Sequence, residues 1–129
     1  MDFKNCHLGV GCMGLGGGWN KSTYDINHIK QAEELIEISL ELGINFFDHA
    51  DIYSRGKAES VFGEVLKSQP NKRDKMIIQT KCGIRLSDKS YNSNLAILDS
   101  SKNHILSSVD NSLKRLNFCL LYTSPSPRD

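Results

Sequence analysis

Three side chains with complementary acid–base chemistry follow two short apolar runs of the sequence. Asp48 comes directly after one run, Tyr53 lies five positions further on, and Lys81 ends the next run. A nearby ammonium stabilises a tyrosine phenolate, and a carboxylate paired with that ammonium keeps it charged and oriented. Such a group could protonate an oxygen on which negative charge develops. The alternative is structural: Asp48 caps a loop, Tyr53 packs at a rim and Lys81 is a solvated strand end.

Alternating strand and helix patterns surround these residues. Short β-prone runs are predicted near residue 8, over 44–47 and over 76–81. Helical periodicity follows from about Asp25 to Gly43, over 58–66, and after a capping Ser101. In the third helix the positions expected to face inward are Ile105, Val109, Leu113 and Leu116. Residues 86–100 are rich in Ser, Asn and Asp, which predicts an exposed loop, and 118–122 could form a fourth strand.

Three strand–helix units in series predict parallel strands and an α/β fold, because crossovers of this length join parallel neighbours. Composition alone leaves an open sheet and a (β/α)8 barrel as alternatives. In either architecture the active site lies at the carboxyl ends of the strands. Asp48, Tyr53 and Lys81 are therefore expected at one edge of the sheet.

Composition and charge exclude several classes of partner. The 129 residues carry 16 basic and 15 acidic side chains, so no basic surplus points to nucleic acid or an anionic membrane. No apolar stretch is long enough for a membrane helix, and the first residues lack a signal-peptide core, so a cytoplasmic location is expected. The 4 cysteines form no Cys-x-x-Cys pair, which favours free thiols, and no metal site is predicted.

A glycine-rich segment follows the first predicted strand. Residues 9–14 satisfy the pattern G-x-G-x-x-G, the fingerprint of dinucleotide-binding loops. The pattern requires a helix directly after its last glycine, but Gly16, Gly17 and Gly18 stand there instead. The context therefore argues against a Rossmann-type site.

Specific strings of the sequence resemble the N-terminal portion of the aldo/keto reductases. They are Gly-Ile-Asn-Phe-Phe-Asp-His-Ala-Asp-Ile-Tyr over 43–53, Ala-Glu-Ser-Val-Phe-Gly over 58–63, and the strand ending Thr80-Lys81. The first strand is also similar, and the resemblance extends over about residues 7–117. It implies a partial (β/α)8 TIM barrel of about three to four strand–helix units. It also implies NADP(H) bound without a Rossmann domain and reduction of a small aldehyde or ketone.

The same resemblance assigns roles to individual residues. Tyr53 corresponds to the general acid and Lys81 to the residue that modulates the pKa of that tyrosine. Asp48 corresponds to the partner of the lysine near the nicotinamide ribose. It also implies that Gly11, Cys12 and Met13 lie beside the nicotinamide and contact it mainly through their backbone. Trp19 matches a loop that lines the substrate pocket, although a hydrophobic rim contact is an equal alternative.

The sequence departs from the family pattern near its end. The family's fourth strand ends in a catalytic histidine, but no histidine follows His104, which is expected on the third helix. Residues 119–129 resemble a translated sequencing-adapter read-through, so the division expected is 1–118 from the barrel and 119–129 as a non-family tail. The chain is thus expected to be an inactive fragment of an active parent. Alternatives are a cofactor-sensing regulatory subunit of the same fold or a non-functional truncated fragment.

Overall fold

A parallel three-stranded sheet covered by helices forms the centre of the molecule. The computed structural model describes residues 7–86 and 96–118. In chain order the elements are β1 (Gly9–Gly11), α1 (Ile26–Glu41), β2 (Phe46–Asp48), α2 (Lys57–Ser68), β3 (Ile77–Gln79), β4 (Ile84–Leu86), β5 (Ala96–Leu98) and α3 (Lys102–Arg115). Short 3-10 segments lie at Tyr53–Gly56 and Pro70–Lys75. The predicted α/β fold with parallel strands is confirmed.

The register of the sheet aligns the carboxyl ends of its strands. β2 lies between β1 and β3, and both pairings are parallel. Gly11 of β1 is paired with Asp48 of β2, which is paired with Gln79 of β3. These residues form one row across the edge where a parallel α/β fold places its site.

Local signals in the sequence set the ends of α1. The Asp25 carboxylate accepts hydrogen bonds from the backbone N–H groups of Asn27 and His28, at 2.9 and 3.2 Å. The His28 ring accepts one in return from the Asp25 N–H, at 3.0 Å. Gly43, just beyond the helix, takes a φ of 78°, which glycine adopts at little cost. The predicted boundaries of the first helix are confirmed.

The core lies between the sheet and the first two helices. Phe47 of β2 and Phe62 of α2 are fully buried, with ring centroids 5.3 Å apart. The buried hydrophobic residues packed around them are Cys12, Leu15, Ala32, Ile36, Ala58, Val61, Val65, Leu66, Met76 and Leu116. Burial of this apolar surface is the main stabilising contribution to such a core.

In the last third of the chain one prediction is wrong and another is confirmed only in part. Part of the loop predicted over 86–100 is an antiparallel pair, in which Ile84 lies opposite Leu98, and residues 87–95 lie outside the described part. Of the positions predicted to face inward on the third helix, Leu116 is buried in the core as expected. Within α3 the buried positions are Ser108 and Ser112, whereas Ile105 and Val109 are exposed. Ser108, Ser112 and Arg115 share one face of α3, at spacings of four and three residues, and Arg115 on that face pairs with the buried Glu59 carboxylate of α2 at 2.8 Å.

Beyond Phe118 the predicted fourth strand and the tail over 119–129 lie outside the described residues. Within 7–86 and 96–118, none of the helices has the length and apolar character needed to cross a membrane.

Candidate active site at the carboxyl edge of the sheet

Lys81 is held at the carboxyl edge by three oxygen acceptors. Its ammonium donates to both carboxylate oxygens of Asp48, at 2.8 Å each, and to the backbone oxygen of His49, at 2.7 Å. The Asp51 N–H donates to the Lys81 carbonyl at 3.0 Å, which fixes the backbone just beyond β3. The side chain of Lys81 is therefore anchored in spite of being 44% exposed.

The pair stabilises the charged form of both partners. Partial burial raises the pKa of Asp48, but hydrogen bonds from Lys81 and Gln79 outweigh burial and hold that pKa below its ordinary value. Burial likewise lowers the pKa of Lys81, but hydrogen bonds to Asp48 and Tyr53 and the charges of both outweigh it, so the pKa lies above 10.5. The site therefore holds a carboxylate and an ammonium at neutral pH.

Tyr53 lies beside this ion pair. The Lys81 ammonium is 5.1 Å from the centroid of the Tyr53 ring. The indole ring of Trp19 packs against the same tyrosine, with ring centroids 6.2 Å apart and an angle of 57° between the ring planes. Thus the three predicted acid–base residues come together, and Trp19 joins them from the segment between β1 and α1.

Gln79 also belongs to this site and was not predicted from the sequence. Its side-chain amide donates to the Asp48 carboxylate at 2.6 Å, and the two residues are paired across β2 and β3. One signal could have found it. Gln79 lies two positions before Lys81, and alternate residues of a strand share a face.

The three residues predicted to lie beside a nicotinamide occupy the end of β1. Gly11 has open space on its Cβ side, with nothing within 4 Å. Cys12 donates its backbone N–H to the Asp48 carbonyl at 2.9 Å, while its side chain is buried. Burial raises the pKa of the Cys12 thiol to about 12, so it is neutral and unreactive. The Met13 side chain is 56% exposed.

These residues fit a nicotinamide cofactor. Open space beside Gly11 lies in the same row as the Asp48 carboxylate. A carboxylate accepts hydrogen bonds from ribose hydroxyl groups, and glycine allows close approach of a ligand to the backbone.

Within residues 7–86 and 96–118 no cluster of three potential metal-ligating side chains occurs.

A second polar cluster lies behind the site, between the sheet and α2. Glu59 is fully buried and accepts hydrogen bonds from Thr80, at 2.5 Å, and from Arg115, at 2.8 Å. His49 is buried with its ring edge-on to Phe62, and in the described residues neither of its ring nitrogens has a hydrogen-bond partner. Burial lowers the pKa of His49 to about 4, so the imidazole is neutral.

The comparisons with known proteins all point to one family. The sequence model of the Aldo/keto reductase family matches residues 7–120. The chain is similar to the uncharacterized oxidoreductase YqkF of Bacillus subtilis, with 36% identity over 115 residues, which are 89% of this chain and 32% of that protein.

Two solved structures show the same fold. The holo form of the aldo-keto reductase AKR11C1 from Bacillus halodurans is 34% identical, with a TM-score of 0.65, over 86% of this chain and 32% of that chain. An aldo-keto reductase from Klebsiella pneumoniae in complex with NADPH is 19% identical, with a TM-score of 0.59, over 85% and 31%. The predicted partial (β/α)8 barrel is confirmed. The chain spans about a third of the length of the curated relatives it matches.

Proposed function

The chain belongs to the aldo/keto reductase family, and from that premise we propose that the whole protein is an NADPH-dependent reductase of small aldehydes or ketones. The observation that carries this proposal is the contact of Lys81 with both Asp48 and Tyr53. A tyrosine hydroxyl beside an anchored ammonium is suited to give a proton to a carbonyl oxygen. Because the similar proteins are oxidoreductases, the reaction class agrees with the geometry.

NADP(H) is the proposed cofactor, and its bound form would supply the hydride. The backbone of Gly11, Cys12 and Met13 would hold the nicotinamide end, and the Asp48 carboxylate would accept from the ribose. Support comes from the open space beside Gly11 and, at the level of the fold, from the Klebsiella pneumoniae enzyme in complex with NADPH.

In the proposed reaction Tyr53 acts as the general acid. Its hydroxyl donates a hydrogen bond to the carbonyl oxygen and transfers the proton as negative charge develops there. The Lys81 ammonium stabilises the phenolate that remains, and Asp48 keeps the ammonium charged and in place. Trp19 is proposed to contact the substrate beside Tyr53.

A cytoplasmic location stays a prediction from the sequence.

The proposal is tested by Lys81→Met in the whole protein, expressed from the longest reading frame that contains these residues. Oxidation of NADPH is followed with a panel of aldehydes and ketones. Loss of the ammonium should lower kcat by about a hundredfold or more, within the range for general acid catalysis. The matched control is Lys67→Met, at an exposed position in the last turn of α2, which should leave kcat unchanged.

Two results would contradict the proposal. Lys81→Met with wild-type turnover would remove the ammonium from the mechanism. Wild-type protein that binds NADPH without reducing any carbonyl compound would favour a cofactor-sensing regulatory subunit instead.

A further inference from the structure

The segment that carries Trp19 is attached to the turn that carries Tyr53. We define residues 15–22 as the Trp19 loop, which lies between β1 and α1. Two residues that follow Tyr53 within four positions, Ser54 and Lys57, make side-chain hydrogen bonds to this loop. The loop and the turn are far apart in the sequence, so these bonds fix their relative position.

Ser54 makes the first attachment. Its side chain is fully buried, and its hydroxyl lies 2.8 Å from the Leu15 carbonyl oxygen and 3.0 Å from that of Gly17. Ser54 and Arg55 have φ values of 49° and 55°, in the left-handed region that non-glycine residues seldom adopt. Such backbone strain persists only where surrounding contacts determine the conformation.

Lys57, at the start of α2, makes the second attachment. Its ammonium donates to the Asn20 side-chain oxygen at 3.1 Å and to the Ser22 carbonyl oxygen at 2.8 Å. The same Asn20 oxygen accepts a hydrogen bond from the Ser22 N–H at 3.0 Å. One ammonium therefore holds the loop on the far side of Trp19 from the contacts of Ser54.

Close backbone packing leaves the loop little freedom. Gly16 has a φ of 85°, and a Cβ there would lie 2.7 Å from the backbone of Lys57. Gly17 has a φ of 88°, and a Cβ there would lie 2.9 Å from the His28 ring. Only glycine fits at these two positions, so the path of the loop up to Trp19 is set by packing as well as by hydrogen bonds.

We infer that Ser54 and Lys57 are positioning residues that hold the Trp19 indole against Tyr53, and that the indole so placed favours carbonyl substrates bearing an aromatic group. The placement of Trp19 follows from the contacts above. The consequence for substrates rests on the proposed function. An aromatic substituent would pack on the indole while its carbonyl oxygen lies at Tyr53, whereas a short aliphatic aldehyde gains little from the same contact.

The placement is tested without any activity, by ¹⁹F NMR of the whole protein labelled with 5-fluorotryptophan. The resonance of Trp19 is the one absent in Trp19→Phe. Lys57→Met removes one attachment. Ser54→Gly removes the other and accommodates the positive φ, so that variant should fold. Each variant should shift the Trp19 resonance and increase its broadening by a soluble paramagnetic agent, and Lys67→Met, the same substitution at the other end of α2, should not.

The consequence for substrates is tested by steady-state kinetics with benzaldehyde and propanal. Loss of an ordered aromatic contact should raise KM for benzaldehyde roughly threefold to tenfold in Lys57→Met. With propanal as the substrate, both the kcat and the KM of Lys57→Met should stay at the wild-type values.

The outcomes separate the two proposals. A Trp19 resonance that is unchanged in both Lys57→Met and Ser54→Gly would overturn the placement, whether or not the protein is a reductase. An altered resonance with equal effects on the two aldehydes would overturn the selectivity. Absence of carbonyl reduction by the wild type would contradict the proposed function and the selectivity, while the resonance still tests the placement.

Discussion

His49 is the buried titratable residue that the proposed chemistry does not use. Its backbone oxygen accepts from Lys81, but its ring points to Phe62 in the layer between the sheet and α2. The charges nearest to the ring are those of Glu59, Asp48 and Lys81. A neutral imidazole without hydrogen-bond partners is tolerated in this layer, whereas a protonated one is not.

His49 should make the stability of the protein depend on pH. Burial lowers the pKa of His49 from 6.5 in the unfolded chain to about 4 in the folded state. Between these values the unfolded chain binds a proton that the folded chain does not, so stability is full above pH 6.5 and falls as pH decreases towards 4. The loss approaches roughly 3 kcal/mol below pH 4 and about 2 kcal/mol at pH 5.

Urea unfolding of the whole protein and of His49→Leu at pH 7 and pH 5 measures this effect. The wild type should lose about 2 kcal/mol more than the variant between the two pH values. The comparison subtracts the other histidines, which are common to both proteins. Equal losses would show that His49 is protonated in the folded state or exposed to solvent.

The sequence predicted the residues of the site that chemistry alone identifies, but not those that position them. Asp48 and Lys81 could be predicted because each lies at the end of a β-prone run. Gln79, Ser54 and Lys57 act through partners 31 to 39 positions away, and such contacts depend on strand register and loop path. Of these three residues only Gln79, two positions before Lys81, had a local signal, and local patterns carry no information on loop path.

At the level of elements, α2 packs against α1 on one side and α3 on the other. The contact with α3 is closest at Gly63, where a Cβ would lie 1.9 Å from the Arg115 carbonyl oxygen. The Asn117 side chain also donates to the Gly63 carbonyl at 2.9 Å. The absence of a side chain at Gly63 is what allows the end of α3 to approach α2.

Gly63→Ala should therefore destabilise the protein, although alanine is the better helix former. The added methyl group must displace the backbone of α3, and overpacking of this kind costs about 1–3 kcal/mol. Chemical unfolding measures the change. Gly14→Ala is the matched control, since a Cβ there meets nothing within 4 Å, and it should change stability little. Unchanged stability in Gly63→Ala would contradict this packing of α3.

The helices were more predictable than the later strands. α1 and α3 carry side-chain N-caps, at Asp25 and Ser101, and their boundaries follow from local signals. The pairing of β4 with β5 was missed because polar residues fill the sequence between them. Of the apolar positions predicted to face inward on α3, Leu116 is buried, but Ile105 and Val109 are exposed, and Arg115, which pairs with Glu59, shares a face with the buried Ser108 and Ser112.

For the whole molecule, the described sheet has two edges, because β1 and β3 each pair only with β2. Large apolar side chains are also exposed, among them Leu42 at 71% and Leu98 at 85%. Unpaired strand edges and exposed apolar surface promote association between chains. The 129-residue chain expressed by itself should consequently self-associate and bind a hydrophobic dye.

Light scattering after size-exclusion chromatography, with the whole protein as control, measures this association. The chain should elute as oligomers, and the whole protein should bind less dye per residue. A monomeric chain without dye binding would show that its edges and apolar side chains are covered.

The barrel architecture could be predicted only through resemblance to a family. Strand–helix alternation gave parallel strands, but open sheets and closed barrels share that pattern. Whether a sheet closes into a barrel depends on the tilt of its strands and on their stagger summed around the whole sheet. Three strands are too few to determine either outcome.

The most direct test of the proposed chemistry is the kcat of Tyr53→Phe in the whole protein, measured with NADPH and a carbonyl substrate that the wild type reduces. Removal of the proton donor should lower kcat by about a hundredfold or more, with the affinity for NADPH unchanged. A kcat within about threefold of the wild-type value would contradict a general-acid role for Tyr53, because general acids typically contribute about 10²–10⁴-fold.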